Sequence, residues 1–180
     1  MNEWMLILLD IVTNSLEANS KVVKLTVKET KDSLDIHVED DGKGISKENQ
    51  EKVFSPFYTT RTTRDKGFGL PFLKEMVARS HGTLKFTSEE NKGTKIDIKV
   101  RLDDVDSLPV GSIEETVFAI VTNSQNVDIV FRYSYEENSY FLDTREIKKV
   151  LEIKEIIEPD VTGWIKENLW EGVKKARKGK

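Results

Sequence analysis

The sequence predicts an α/β two-layer sandwich, with helices on one side of an open sheet of several largely antiparallel strands. Three observations carry that expectation. An apolar stripe at helical spacing opens the chain, paired short runs then alternate apolar with polar residues, and turn-forming residues separate the members of each pair. At 180 residues the chain has room for one domain or one and a half, at about 100–200 residues each. Hydrophobic residues make up 37% and charged residues 33%, enough for a folded core and too apolar for wholesale disorder.

Residues 3–18 read as the first helix, because Trp4, Ile7, Leu8, Ile11, Val12 and Leu16 fall on one face with no Gly or Pro between them. Two strands follow, one facing inward with Val23, Leu25 and Val27, the other with Leu34, Ile36 and Val38, around a turn at Lys31 to Ser33. After a breaker cluster, Ser46 is placed to cap a short helix through about Val53. Residues 55–69 show no period and read as a loop. The next helix begins near Leu70 with Pro71 in its first turn, where the missing N–H costs nothing, and ends before His81-Gly82. Two more strands, around Leu84–Phe86 and Ile96–Val100, flank a turn at Asn91 to Gly93.

Asp103 to Ser112 reads as an acidic linker, and residues 1–102, 103–114 and 115–180 divide the chain into a main domain, a linker and a small C-terminal α/β extension. Within the extension, 116–122, 127–135 and 139–142 read as strands. Asp143 and Glu146 have capping-box spacing before a helix with Ile147, Val150 and Leu151. A final helix spans about 160–176, with Ile165, Leu169, Val173 and Ala176 on its apolar face. Trp170 falls on the opposite side of that helix, which makes it an expected docking residue beside the basic tail.

Composition removes several classes of chemistry. The absence of cysteine excludes disulfides, thiolate metal sites and thiol catalysis, and two histidines make a multi-histidine metal site improbable. No apolar run reaches the ~18–20 residues that span a bilayer, and the start lacks an export signal, so a soluble cytoplasmic protein is expected, without a membrane partner. The net charge of −4 is unevenly spread, since residues 103–173 carry 16 acidic and 6 basic side chains before the basic tail 174–180. That tail reads as a solvated helix end rather than a nucleic-acid contact.

Four stretches carry chemistry when taken together. Asp10 and Asn14 lie four apart, which puts two oxygen ligands on one helix face, a pairing suited to Mg²⁺. Asp40-Asp41-Gly42-Lys43-Gly44 leaves a strand expected to end at Val38. Its carboxylate can accept from an exocyclic amine, and its glycines let the backbone approach a planar base. Phe54-Ser-Pro-Phe57-Tyr-Thr-Thr60 opens the long loop. Gly67-Phe68-Gly69-Leu70 runs into a helix N-terminus, where free N–H groups and the dipole favour phosphate.

In this order and spacing the four resemble the motifs of the GHKL superfamily of ATPases, and most closely the histidine kinase ATPase domain, over about residues 1–102. The resemblance implies the Bergerat fold and ATP or ADP with Mg²⁺ as cofactors. It further implies that Asp40 binds the adenine amine with Thr94 behind it and Gly42 and Gly44 beside it. Asn14 would ligate Mg²⁺, and Gly67, Gly69 and Leu70 would wrap the phosphates. Phe57 and Thr60 belong to the F box, and Tyr58 to Lys66 would form a lid with Arg61, Arg64 and Lys66 as candidate phosphate contacts. Asp10 stands where histidine kinases carry Asn and gyrase-type members carry a Glu general base, so it is the candidate catalytic residue. Phe68 and Pro71 depart from the second glycine box.

No phosphoacceptor helix pair is expected ahead of residue 3, and His37 and His81 read as structural. Three functions remain open: an ATP-binding protein that signals to a partner with slow hydrolysis, a kinase acting in trans on His or Ser, and a non-enzymatic nucleotide sensor. A protein partner is expected, and a homodimer is open.

Overall fold

The computed structural model describes residues 3–55, 69–124 and 126–178. In order these form α1 (Trp4–Glu17), β1 (Val22–Glu29), β2 (Ser33–Asp40), α2 (Lys47–Gln50), a 3-10 turn (Lys52–Phe54), α3 (Gly69–Arg79), β3 (Thr83–Glu89) and β4 (Gly93–Arg101). There follow α4 (Ile113–Asn123), β5 (Asp128–Tyr135), β6 (Asn138–Asp143), α5 (Thr144–Leu151) and α6 (Pro159–Ala176). The strands make one six-stranded sheet in the order β3-β4-β2-β1-β5-β6. Every pairing is antiparallel except β1 with β5, which run parallel from Val22↔Asp128 to Glu29↔Tyr135. The expected two-layer α/β architecture is thus present, with a mixed sheet. The strands of 128–143 extend the same sheet rather than building one of their own.

Alternation decides which face is covered. Val23, Leu25, Val27 and Glu29 of β1 align with Asp40, Val38, Ile36 and Leu34 of β2, the first three align with Ile129, Phe131 and Tyr133 of β5, and all are buried. The opposite face is polar, and its charges alternate across strands: Lys24, Glu39 and Lys95 lie in one row, Lys28, Asp35 and Lys99 in another. Such a face stays wet, and the exposed Phe141 at the β6 edge lies under the Arg132 guanidinium, 5.3 Å from its ring centre. Helices α1, α3, α4 and α6 supply the other half of the core through residues such as Trp4, Leu8, Leu73, Val117 and Leu169.

Helix α1 has no side-chain N-cap. Its first N–H groups are satisfied instead by the carbonyls of Pro109 and Val110, each at 3.0 Å, so residues inside the expected linker close the helix end. The C-terminus is fastened more strongly. Glu29, 1% exposed, accepts from the Tyr133 hydroxyl at 2.8 Å and from Arg177 Nη2 at 3.0 Å, while Arg177 Nε reaches the Tyr133 oxygen at 2.8 Å. Burial first, then the negative Glu29, pushes the Tyr133 hydroxyl far above the usual tyrosine range, so it stays protonated and donating.

Two expectations need correction. Residues 116–122 are not a strand but lie in α4. The β-branched run favours a strand locally, yet Ile113, Val117, Ile120 and Val121 recur at helical spacing and are buried. Ser112 Oγ caps the start by accepting from Glu115 N at 3.2 Å. The second correction follows from the first. Trp170 does not point to open solvent, because α4 lies beside α6 and Phe118 meets the indole edge-on at 6.1 Å. The partly buried Trp170 packs within its own fold, with Lys166 Nζ 5.6 Å from its ring centre.

Candidate functional site

Strand β2 runs two residues past the expected end at Val38 and finishes on Asp40. Because it alternates with Val38 and Ile36, the Asp40 side chain turns to the helix-covered side and is 7% exposed. Its Oδ2 accepts from Ser15 Oγ at 2.7 Å and its Oδ1 from the Gly42 N–H at 2.9 Å. No cation lies within ion-pair distance of it among the described residues. A buried carboxylate is costly without compensation, and here the compensation comes from neutral donors alone.

Thr94 faces Asp40 directly in the β2–β4 register. Its hydroxyl lies 3.0 Å from Ser88 Oγ, which accepts from Ile45 N at 2.8 Å and sits 3.0 Å from the Gly93 carbonyl. Gly93 has φ +96°, and a Cβ there would stand 1.9 Å from the Asp40 carbonyl oxygen. Gly42 and Gly44 answer the same demand. A Cβ on Gly42 would meet Ala18 and Ser20 at 2.7–2.9 Å, and one on Gly44, at φ +62°, would collide with the Glu89 carbonyl. The close approaches these two glycines permit are therefore to the protein's own backbone and side chains.

The loop after Asp40 is welded to the end of α1. Asp41 Oδ1 accepts from Lys21 N at 2.7 Å and Val22 N at 2.9 Å, and Lys43 N donates to the Ala18 carbonyl at 2.9 Å. Burial raises the Asp41 pKa, but the Val22 and Lys21 N–H groups outweigh it and hold the carboxyl below its usual range. Asp10 and Asn14 lie a turn apart on α1, both half-buried, just before Ser15. The fold thus brings the Asp10–Asn14 pair, Asp40 and Thr94 to one end of the sheet. Sequence reasoning missed Ser15 and Ser88, whose partners lie 25 and 43 residues away.

Phe57, Thr60, Arg61, Arg64, Lys66, Gly67 and Phe68, with the whole expected lid from Tyr58 to Lys66, lie outside the described residues. Gly69 and Leu70 open α3, and Leu70 packs against the core. The near end of the loop is anchored: Gln50 Nε2 donates to Ile45 O at 3.0 Å and Ser88 O at 2.7 Å, and Phe54 meets Phe86 edge-on at 5.3 Å. Both histidines have acidic neighbours, with His37 Nδ1 and His81 Nδ1 each 2.6 Å from Asp97 and Asp104 respectively.

The donor set fits an aminopurine. Each carboxylate oxygen offers two lone-pair positions, so Asp40 retains acceptor capacity beyond Ser15 and Gly42. It fits Mg²⁺ in the manner of phosphate-bound magnesium, where protein supplies one or two oxygens. Consistent with so sparse a donor set, the described residues hold no cluster of three His, Cys, Asp or Glu that could hold a metal ion. Among the described residues no helix is long and apolar enough to cross a membrane.

Known proteins resemble this chain over part of its length. The "Probable C4-dicarboxylate sensor kinase" of Halalkalibacterium halodurans is 36% identical over 95 residues, covering 49% of this chain and 18% of that protein. Sensor histidine kinase ZraS of Escherichia coli is 31% identical over 90 residues (49% and 19%), and sporulation kinase C of Bacillus subtilis 30% over 103 (56% and 24%). The chain therefore spans about a fifth of the length of these curated relatives. Among solved structures, the N-terminal domain of a DNA repair protein shares the fold, with a TM-score of 0.57 at 16% identity over 79% of this chain and 53% of that one. Residues 2–104 match the histidine kinase-, DNA gyrase B- and HSP90-like ATPases, and the chain belongs to that family.

Proposed function

We propose that this chain binds Mg-ATP, with the adenine amine on Asp40, and passes its nucleotide state to a partner protein. The observation that carries the reading is the Asp40 carboxylate, 7% exposed at a strand end, held by a hydroxyl and an N–H and balanced by no cation among the described residues. A purine amine completes its hydrogen bonding. Thr94, opposite in register, is the second contact to the base. Asn14 is the magnesium ligand, Gly67, Gly69, Leu70, Arg61 and Lys66 the phosphate contacts, and the bound Mg²⁺ would supply charge neutralisation at the phosphates. Asp10 is the candidate base that takes a proton from water, an assignment resting on the resemblance, since it stands where gyrase-type members carry a Glu general base.

Titration calorimetry with ATP and Mg²⁺ tests the binding. Asp40→Asn replaces an acceptor pair by a mixed amide and should weaken ATP by about 1.5–3 kcal/mol, the scale for a hydrogen bond to a charged group. Unchanged affinity would remove Asp40 from the base site. Asn14→Ala should weaken Mg-ATP, whereas Asp10→Asn should leave binding intact and slow any hydrolysis. The kinase names of the relatives favour transfer in trans as the second reading. Incubation with γ-labelled ATP and cell extract separates the two: free labelled phosphate means hydrolysis, and a labelled protein band means transfer.

A further inference from the structure

We infer that Ser15 is a positioning residue that fixes the Asp40 carboxylate for an amine-bearing base, and so sets the preference for adenine over purines without the amine. The inference rests on the adenine reading above.

A serine inside a helix usually satisfies its hydroxyl on the carbonyl one turn back. Thr13 of the same helix does this, donating to Leu9 O at 2.8 Å. Ser15, 4% exposed, instead donates across to β2, reaching Asp40 Oδ2 at 2.7 Å. The hydroxyl has one hydrogen, so that bond commits it. Its backbone is held as well: the Ser15 carbonyl accepts from Ser20 Oγ at 2.6 Å and from Ala18 N at 3.2 Å.

The consequence is rotational. With Gly42 N on Oδ1 alone, the carboxylate could swing about its terminal bond, a broad two-fold torsion. With Ser15 on Oδ2 as well, both oxygens are pinned and the remaining lone pairs have one fixed direction. A hydroxyl does this without supplying a positive charge, so Asp40 keeps its strength as an acceptor. An arginine or lysine in that place would fix the group and compete with the ligand for it. The hydroxyl therefore acts through Asp40 rather than by touching the base.

The test compares ATP with purine riboside triphosphate, which has hydrogen in place of the 6-amino group, by calorimetry on wild type, Ser15→Ala and Ser15→Cys. Wild type should prefer ATP by about 10–100-fold, the range a hydrogen bond to a charged group supplies. Ser15→Ala should reduce that preference to within about threefold by weakening ATP while leaving the analogue's Kd unchanged, and Ser15→Cys, with a weak donor of similar size, should restore part of it. Equal weakening of both nucleotides would show that Ser15 only packs the pocket and would overturn the inference. So would a preference unchanged in Ser15→Ala. A wild type that binds both nucleotides equally would remove the adenine reading itself, a different failure. Should Ser15→Ala not fold, Ser15→Cys carries the same comparison, with an intermediate preference expected and an unchanged one overturning the inference.

Discussion

Asp40 and Asp143 occupy matching places in the fold and are held in opposite ways. Each ends a strand, Asp40 on β2 in mid-sheet and Asp143 on β6 at the edge, and each is 7% exposed. Asp143 is neutralised: Arg145 grips it through Nη2 at 2.6 Å and Nε at 2.9 Å, and its Oδ1 caps α5 by accepting Arg145 N at 2.9 Å. Among the described residues Asp40 receives only a hydroxyl and one N–H. The difference teaches how a buried acid can be read. A carboxylate with its own arginine is a structural fastening, and one held by neutral donors is still an acceptor in search of a partner. Glu29, clamped by Arg177 and Tyr133, belongs with Asp143.

Breaking the fastenings should therefore cost stability, and altering Asp40 should not. The largest effect is expected from Arg177→Met, which takes the cation at 3.0 Å from the buried Glu29 carboxylate and should lose about 3 kcal/mol in urea denaturation. A loss under about 1 kcal/mol would mean that α6 holds without the clamp. Asp143→Ala should lose about 1–2 kcal/mol, the scale for a helix cap. Asp40→Asn should stay within about 1 kcal/mol of wild type, because it removes a buried charge while keeping an acceptor for Ser15. If Asp40→Asn proves as damaging as Asp143→Ala, the contrast between the two acids fails.

The smallest effect is a pH dependence. Hydrogen bonding to Arg145, opposed by burial, holds the Asp143 carboxyl below its usual range. A carboxyl with a depressed folded pKa contributes stability above its unfolded pKa, about 3.9, and loses it as pH falls through the lower folded value. Stability should thus be flat above about pH 5 and decline below about pH 4, and the decline should be shallower in Asp143→Ala. Denaturation midpoints between pH 2 and 6, on the order of half a unit apart, would show it. An acid limb identical to wild type would detach Asp143 from the effect.

The N-terminal elements were legible because period and punctuation agree there. Trp4, Leu8 and Ile11 keep helical spacing, Leu34, Ile36 and Val38 alternate, and Gly93 supplies the turn with φ +96°. In α4 the signals conflict. Thr116-Val117-Phe118-Ala119-Ile120-Val121 has strand propensity, and the burial that overrides it comes from α1 and α6, which local sequence does not display. The cue that could have found the helix was present in Ser112 and Glu115, spaced as a capping box. Misplacing α4 also turned Trp170 outward, since its partner Phe118 was assigned to another element. At the candidate site, motif order is what nominated Asp40, Asn14 and Thr94. Ser15 and Ser88 were missed because a serine on a helix or strand carries no local signal until its distant partner is known.

The parallel pairing of β1 with β5 sets a schedule for synthesis. One edge of β1 is covered by β2 a few residues later, but the other waits for β5, whose last residue, Tyr135, follows Glu29 by 106 positions (135 − 29). At about 5–20 residues per second, that edge stays open for roughly 5–20 s on every nascent chain. During this interval Val23, Leu25 and Val27 lack the cover of Ile129 and Phe131, and an unpaired strand beside an apolar face is a template for the wrong neighbour. Lys24 and Lys28 alternate along β1, so a second copy approaching the open edge would meet like charges before it could pair.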